Sequence, residues 1–390
     1  MKTGNWLLYI LAGVSLLVFT AGVSYLGFSS FKGKLVGVTT NPTPTTGRKP
    51  KVDPTLPKTA ACPLNGAMFT EGEKKTWETR RPLAVMIENH VDARPLSGLS
   101  SADIVYEAVA EGGITRFMGI FYCGVAAGEE MLAPVRSARI YFVKLVPEYD
   151  ALYNHVGGAG RCDDPTVDDR AKALCFIATN KVKDMDQFSL GFKQCHRLTS
   201  RTNKDLAYEH TMACYTDQLY TEAAARGWTN VDTNLKSKPS WDANFPPWKF
   251  KDDAAAKGSV TDIKFDFWAS QPSYSVGWKY DPATNAYLRF EAGQAAMDLN
   301  TNLQESARNV VIQFVKETGP LDEHLHMYYE DYGTGQMMLF QDGQVFTGTW
   351  TKAAAASRTK FILDGGKEVQ FNRGMVWVEL VPSGNNIVHN

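Results

Sequence analysis

From Trp6 to Phe28 the chain runs 23 residues without a charge. As a helix that run spans about 34 Å at roughly 1.5 Å per residue, enough to cross a bilayer core. It has no clear small-residue cleavage site, and no Cys follows it to carry a lipid. The pattern therefore predicts a retained membrane anchor over residues 6–28, with residues 1–5 as a short cytoplasmic N-terminus. The chain then turns polar. Residues 39–60, rich in Thr and Pro and poor in apolar side chains, predict an extended linker with polyproline character. Folded sequence starts near Cys62.

Short apolar runs punctuated by turn residues follow. Pro82 to Glu88 is strand-like and leads into a polar turn around Asn89 to Pro95. Asp103 to Ala110 and Ile114 to Tyr122 flank Gly112-Gly113, the signature of a β-hairpin. The rival is a helix from Ser101 to Glu111, capped by Ser and ended by Gly. Ile, Val and Tyr dominate the run, which favours the hairpin. Ser137 to Val146 predicts a helix with Ser137 as N-cap and Pro147 as its stop. Ala151 to Val156 reads as a short strand entering Gly157-Gly158-Ala159-Gly160. Thr216 to Arg226 reads as a helix ended by Gly227.

Residues 231–260 are polar, with Trp241 and Trp248 as packing anchors, and read as a connection. Beyond them come strand-like runs at 262–269, 273–280, 286–290, 310–316, 336–341, 344–351, 359–363 and 375–381. Asp281-Pro282, Asp342-Gly343 and Asp364-Gly365-Gly366 supply turns between them. The fold class expected is α+β: an N-terminal domain of mixed α/β character over 65–230, then an antiparallel β-rich C-terminal domain over 261–385.

Composition adds limits. The 390 residues are 44% hydrophobic and 21% charged with a net charge of −1, so no global field draws nucleic acid or an acidic partner. No zinc-finger spacing, RRM-type aromatic motif or basic helix is present, which excludes the usual nucleic-acid modules. Aromatics make up 12%, and nine Trp are present, several in the last third, as suits a β module there.

Few residues suggest chemistry. In the hairpin, Glu111 pairs with Ile114 and Val109 with Arg116, which sets Arg116 diagonal to both Glu107 and Glu111 on one face. The two carboxylates would lie about 13 Å apart along a strand, too far for a glycosidase pair. On the rival helix they would sit one turn apart. Arg136-Ser137-Ala138-Arg139 places two guanidiniums beside a capped helix start, the physics of an anion site for phosphate or carboxylate. Pairing of those Arg with Glu107 or Glu111 is the structural alternative.

His155, before the Gly-rich turn, and His210 are candidate proton-transfer groups. Two His without a clear third ligand are a weak zinc signal, and Ser137 with either His lacks a nucleophile-elbow motif. Asp163, Asp164, Asp168 and Asp169 form an acidic loop without the EF-hand pattern. The glycines at 157–160 lack nucleotide-loop spacing, so no cofactor and no metal are expected. Six Cys allow fifteen pairings. Cys162 with Cys175 and Cys195 with Cys214 are the locally simplest, and the sequence leaves the pairing open.

Long blocks carry a resemblance. RPLAVMIENHVDARPLSGLSSADIVYEAVAEGGITRFMGIFYC (Arg81 to Cys123), PVRSARIYFVKLVPEYDALYNHVGGA (Pro134 to Ala159) and YEHTMACYTDQL (Tyr208 to Leu219) resemble the first module of the YerB family. VGWKYDPATNAYLRF, MMLFQDGQVFTGTWTK and GKEVQFNRGMVWVELVP resemble its second module. The likeness covers about residues 65 to 382. It implies two modules and an exported, anchored protein, usually held by a lipid on Cys. This chain departs in having an apolar span instead of a lipid-bearing Cys, in the stretch from Arg161 to Lys204, and at His210-Thr211, where an Asn often follows the His. The resemblance implies no particular reaction.

Lys2 precedes the apolar span, but Lys32, Lys34, Arg48, Lys49 and Lys51 follow it, and a strict positive-inside count would leave the C-terminal side in the cytoplasm. Long domains translocate despite local charge, and an even Cys count without Cys-x-x-Cys fits an oxidising compartment. The expectation is thus a single-pass membrane protein with extracytoplasmic domains. Its function would be to bind an anionic envelope polymer or headgroup through Arg116, Arg136, Ser137, Arg139 and His155. The alternative is a hydrolase or transferase acting on envelope glycan or phosphate ester, with Glu107, His155 and His210 moving protons.

Overall fold

The computed structural model describes residues 53, 55–237, 239–254 and 257–390. The expected anchor at 6–28 and most of the 39–60 linker lie outside the described residues. Among the described residues no helix is long and apolar enough to cross a membrane. That corrects the expected membrane partner: a single transmembrane helix finds no support here. The last residues of the expected linker fold, because Lys58–Ala61 pairs with Met68–Thr70 just before Cys62.

Strands dominate, and the two expected domains share one sheet. In order across it run Lys360–Leu363, Gln344–Lys352, Gly333–Gln341, Asn309–Thr318, Val376–Pro382, Ile104–Glu111, Ile114–Phe121, Leu83–Glu88, Leu152–His155 and Lys183–Asp186. Tyr328–Glu330 joins at the side of Asn309–Thr318. The central strands are apolar on both faces: every residue of Leu83–Glu88 and of Val376–Pro382 is buried. Such continuous runs belong to strands covered on both sides.

Each expected C-terminal strand has a counterpart, but the module is not wholly antiparallel. Val376–Pro382 runs parallel to Asn309–Thr318 on one side and to Ile104–Glu111 on the other. Local turn signals report hairpins such as that at Asp342-Gly343, where both residues have positive φ. They carry no information about a strand that returns from far along the chain to fill the centre of a sheet. A second sheet, of six strands, contains Asp262–Phe265, Val276–Asp281 and Ala286–Glu291.

The connection packs against both halves. Trp241 Nε1 donates to Tyr122 Oη at 3.2 Å, and Trp248 Nε1 donates to the Thr359 carbonyl at 2.8 Å. All six Cys are paired as Cys62–Cys123, Cys162–Cys175 and Cys195–Cys214. The helix Thr216–Ala225 ends before Gly227, whose φ is 79°.

Candidate functional site

The hairpin forms, and its turn needs glycine twice. Gly112 and Gly113 both have positive φ, and a Cβ on Gly113 would come within 2.4 Å of Gln271. Its register differs from the ideal one. Glu111 lies opposite Ile114 as expected, but a bulge between Val109 and Glu111 pairs Ala108, not Val109, with Arg116. The extra residue flips the side-chain alternation. Glu111 and Arg116 therefore share one face, and Glu107 points to the other.

On that other face Glu107 is fully buried. Arg289 Nη2 lies 2.6 Å from Glu107, and its Nη1 lies 2.5 Å from Glu379. The guanidinium packs against both the Trp278 and Trp377 rings, 5.0 and 5.2 Å from their centroids. Burial and the neighbouring carboxylates Glu379 and Glu291 hold the Glu107 carboxyl well above its usual range, against the pull of Arg289. Glu107, an expected proton-transfer group, is thus a core residue joining the two sheets.

The expected helix at Ser137 is much shorter than its sequence suggests. Residues 135–138 run extended: Val135 bridges Ile87, Ala138 bridges Gly158, and the Val156 N–H donates to the Arg136 carbonyl. That pairing removes Ser137 from any capping role. The helix spans only Ile140–Val143, and Arg139 precedes it without a side-chain cap. Ser137 instead offers its carbonyl to Arg116 Nη1 at 3.0 Å. Helix-terminus physics for an anion site is therefore absent.

Glu111 gathers two of the three arginines. Arg116 Nη2 and Arg139 Nη2 each lie 2.7 Å from its carboxylate. Burial pushes the Glu111 carboxyl up, but the two guanidiniums overcome this and bring it down to about 2. Arg139 also donates to the Ala138 carbonyl at 2.9 Å. Arg136 is the most open of the three, its side chain 24% exposed. Its Nε lies 3.0 Å from Glu88 Oε1, close enough for an ion pair, although its N–H is not aligned on that oxygen. Its Nη1 donates to the Glu209 carbonyl at 3.1 Å.

His210 is buried and shares Glu88 with Arg136. Its Nδ1 sits 2.8 Å from Glu88 Oε2, so one carboxylate fixes an imidazole with one oxygen and a guanidinium with the other. His90 stacks on His210 with ring centroids 4.8 Å apart and planes 18° from parallel. These groups open onto one cleft of about 310 Å³, whose lining includes Glu88, His90, Asp92, Arg116, Arg136 and His210. Glu111 and Glu209 line it too, so its charge is mixed.

His155 lies apart. It is fully buried, with Nδ1 2.7 Å from the Gly157 carbonyl and Nε2 2.9 Å from Asp184. Both ring nitrogens are occupied in holding the end of the Leu152–His155 strand. The structure thus brings Arg116, Arg136 and His210 to one cleft and sets Arg139 and Ser137 behind it. It does not bring Glu107, His155 and His210 together, since each has different partners. Glu88, His90 and Asp92 were missed by sequence reasoning. Their signal was a polar cluster, Glu88-Asn89-His90-Val91-Asp92, at the end of an apolar strand. A larger groove of about 710 Å³ lies on the six-stranded sheet, but no His or Arg lines it.

Residues 69–229 match the "Protein of unknown function (DUF3048) N-terminal domain", and residues 263–378 match the corresponding C-terminal domain. The chain is similar to the "Putative lipoprotein YerB" of Bacillus subtilis (strain 168), 30% identical over 335 residues, covering 84% of this chain and 88% of the relative. The crystal structure of the YerB protein from Bacillus subtilis is similar in fold, with a TM-score of 0.66 and 26% identity, covering 85% of this chain and 100% of that one. Two matched domains in the expected order, with a shared fold over nearly the whole relative, place this chain in the DUF3048 family, the family of YerB.

Proposed function

We propose that this protein works outside the cytoplasm, in association with the membrane. There its cleft holds an anionic group, a phosphate or carboxylate carried by an envelope polymer or headgroup. The location is supported by three disulfides that use every Cys and by the similarity to the Bacillus subtilis "Putative lipoprotein YerB". One observation carries the binding reading: the guanidiniums of Arg116 and Arg136 and the imidazoles of His90 and His210 line a single cleft. Arg136 is the more open of the two guanidiniums there, so the reading rests on it more than on Arg139.

The test is calorimetric titration of the purified protein with inorganic phosphate and with anionic envelope polymer at low salt. Wild type binds, and Arg136→Ala loses at least tenfold in affinity. Equal binding by the variant, or none by wild type, refutes the reading.

A second reading, hydrolysis or group transfer on an envelope glycan or phosphate ester, is favoured by the 2.8 Å contact between Glu88 and His210. A carboxylate that fixes one ring nitrogen leaves the other to take a proton. This reading needs His210 alone among the three expected proton-transfer groups. Turnover of a phosphate-ester panel that survives His210→Gln would sink it.

A further inference from the structure

We propose that His90, Asp92 and His210 form a binding site for a divalent transition metal of the zinc class, opening into the charged cleft. One donor atom from each residue lies within 4.8 Å of the other two. Two imidazoles and one carboxylate are the donor set of a three-ligand zinc site, whose fourth position is left to water or a substrate oxygen. The cleft of about 310 Å³ supplies the open side.

Glu88 gives the argument its second, independent support. Metal-bound His residues characteristically donate their other ring N–H to a carboxylate, which fixes the tautomer and the ring orientation. His210 has that arrangement: Nδ1 faces Glu88 Oε2 at 2.8 Å, which leaves Nε2 with its lone pair. Arg136 on the other Glu88 oxygen, at 3.0 Å, holds the carboxylate in place. Glu88 is buried, so its position is set by the fold and not by solvent.

His90 and Asp92 are the adjustable part. Zinc bonds of about 2.0–2.1 Å put tetrahedral donors roughly 3.3 Å apart, so the three atoms must close by about 1.5 Å at most. The His90 side chain is 29% exposed and that of Asp92 74% exposed, and both belong to one short turn beginning at His90. His90 Nδ1 accepts a long bond, 3.3 Å, from the Asp92 N–H, and its ring stacks nearly parallel to that of His210. Two parallel rings cannot both aim a lone pair at one ion, so binding turns the His90 ring out of the stack and breaks that weak bond. The cost is small because the ring is partly in solvent.

The site does not rest on the anion reading, and one experiment separates the two. The full chain is stripped with a chelator and titrated with zinc alone by calorimetry. One equivalent binds with a dissociation constant in the micromolar range or tighter. His90→Ala weakens it at least 100-fold, and Glu88→Gln weakens it 10- to 100-fold. Arg136→Ala loses phosphate and, acting on zinc only through Glu88, weakens zinc by no more than Glu88→Gln does. His326→Ala, in a separate His–Asp pair with Asp322, leaves zinc binding unchanged. His90 is partly exposed on a short turn, so its variant folds even if a change at buried His210 does not, and circular dichroism confirms it. No zinc binding by wild type at 100-fold excess, or undiminished binding by His90→Ala, overturns the proposal.

Discussion

Replacing Glu148 by Gln removes one buried charge and strands two others. Glu148 is fully buried and accepts from Lys352 Nζ at 2.6 Å, Arg358 Nη1 at 2.5 Å and Thr359 Oγ1 at 2.9 Å. Arg358 is further boxed in by Trp248, whose ring centroid lies 3.6 Å from the guanidinium. Gln has the same size but offers a neutral oxygen and an NH₂ that faces the cations. Breaking a buried ion pair so that a charge is left uncompensated costs about 3–5 kcal/mol. A folded unit of roughly 340 residues, at about 2.1 cal/mol/K per residue, loses about 1 °C of Tm for each 0.7 kcal/mol. The expected fall is therefore about 4–7 °C.

Calorimetry on the purified wild type and variant measures it. It also tests a second consequence: Glu148 lies in the N-terminal domain, its partners lie in the C-terminal one, and a single sheet spans both. One unfolding transition is expected. Replacing Glu148, Lys352 and Arg358 together by Met should recover much of the loss, because no charge is then left behind. A Tm within about 1 °C of wild type, or two separate transitions, would refute the reasoning.

Other outcomes follow from the same contacts. Arg139→Ala should lower Tm by a similar few degrees without changing phosphate affinity, because Arg139 is spent on Glu111 behind the cleft; differential scanning fluorimetry with and without phosphate reads both. Glu111, depressed from 4.5 to about 2, should contribute stability that is full above about pH 4.5 and is lost as pH falls through about 2. That shift is worth about 3 kcal/mol, so urea melts of wild type and Glu111→Gln should converge only at the acid end. Peptide mapping without reductant should recover Cys62 linked to Cys123, Cys162 to Cys175 and Cys195 to Cys214, and any other linkage would be evidence against the fold around those loops.

By itself the sequence determined what short-range patterning can encode. Alternating and continuous apolar runs marked the strands, Gly112-Gly113 and Asp342-Gly343 marked their turns, and the local Cys spacings pointed to two of the three disulfides. Long blocks of residues identified the family. The helix start expected at Ser137 does not form because residues 135–138 pair with the strand residue Ile87 and with the turn residue Gly158. Helical patterning says nothing about such competition. The Glu107 and Glu111 roles turned on one bulge residue, which sends one carboxylate into the core and the other to the arginines. His210 lies more than a hundred residues from His90 and Asp92, and only the fold brings the three to one rim. Tertiary structure decided the cleft because a buried carboxylate such as Glu88 can hold an imidazole and a guanidinium only where the fold delivers both.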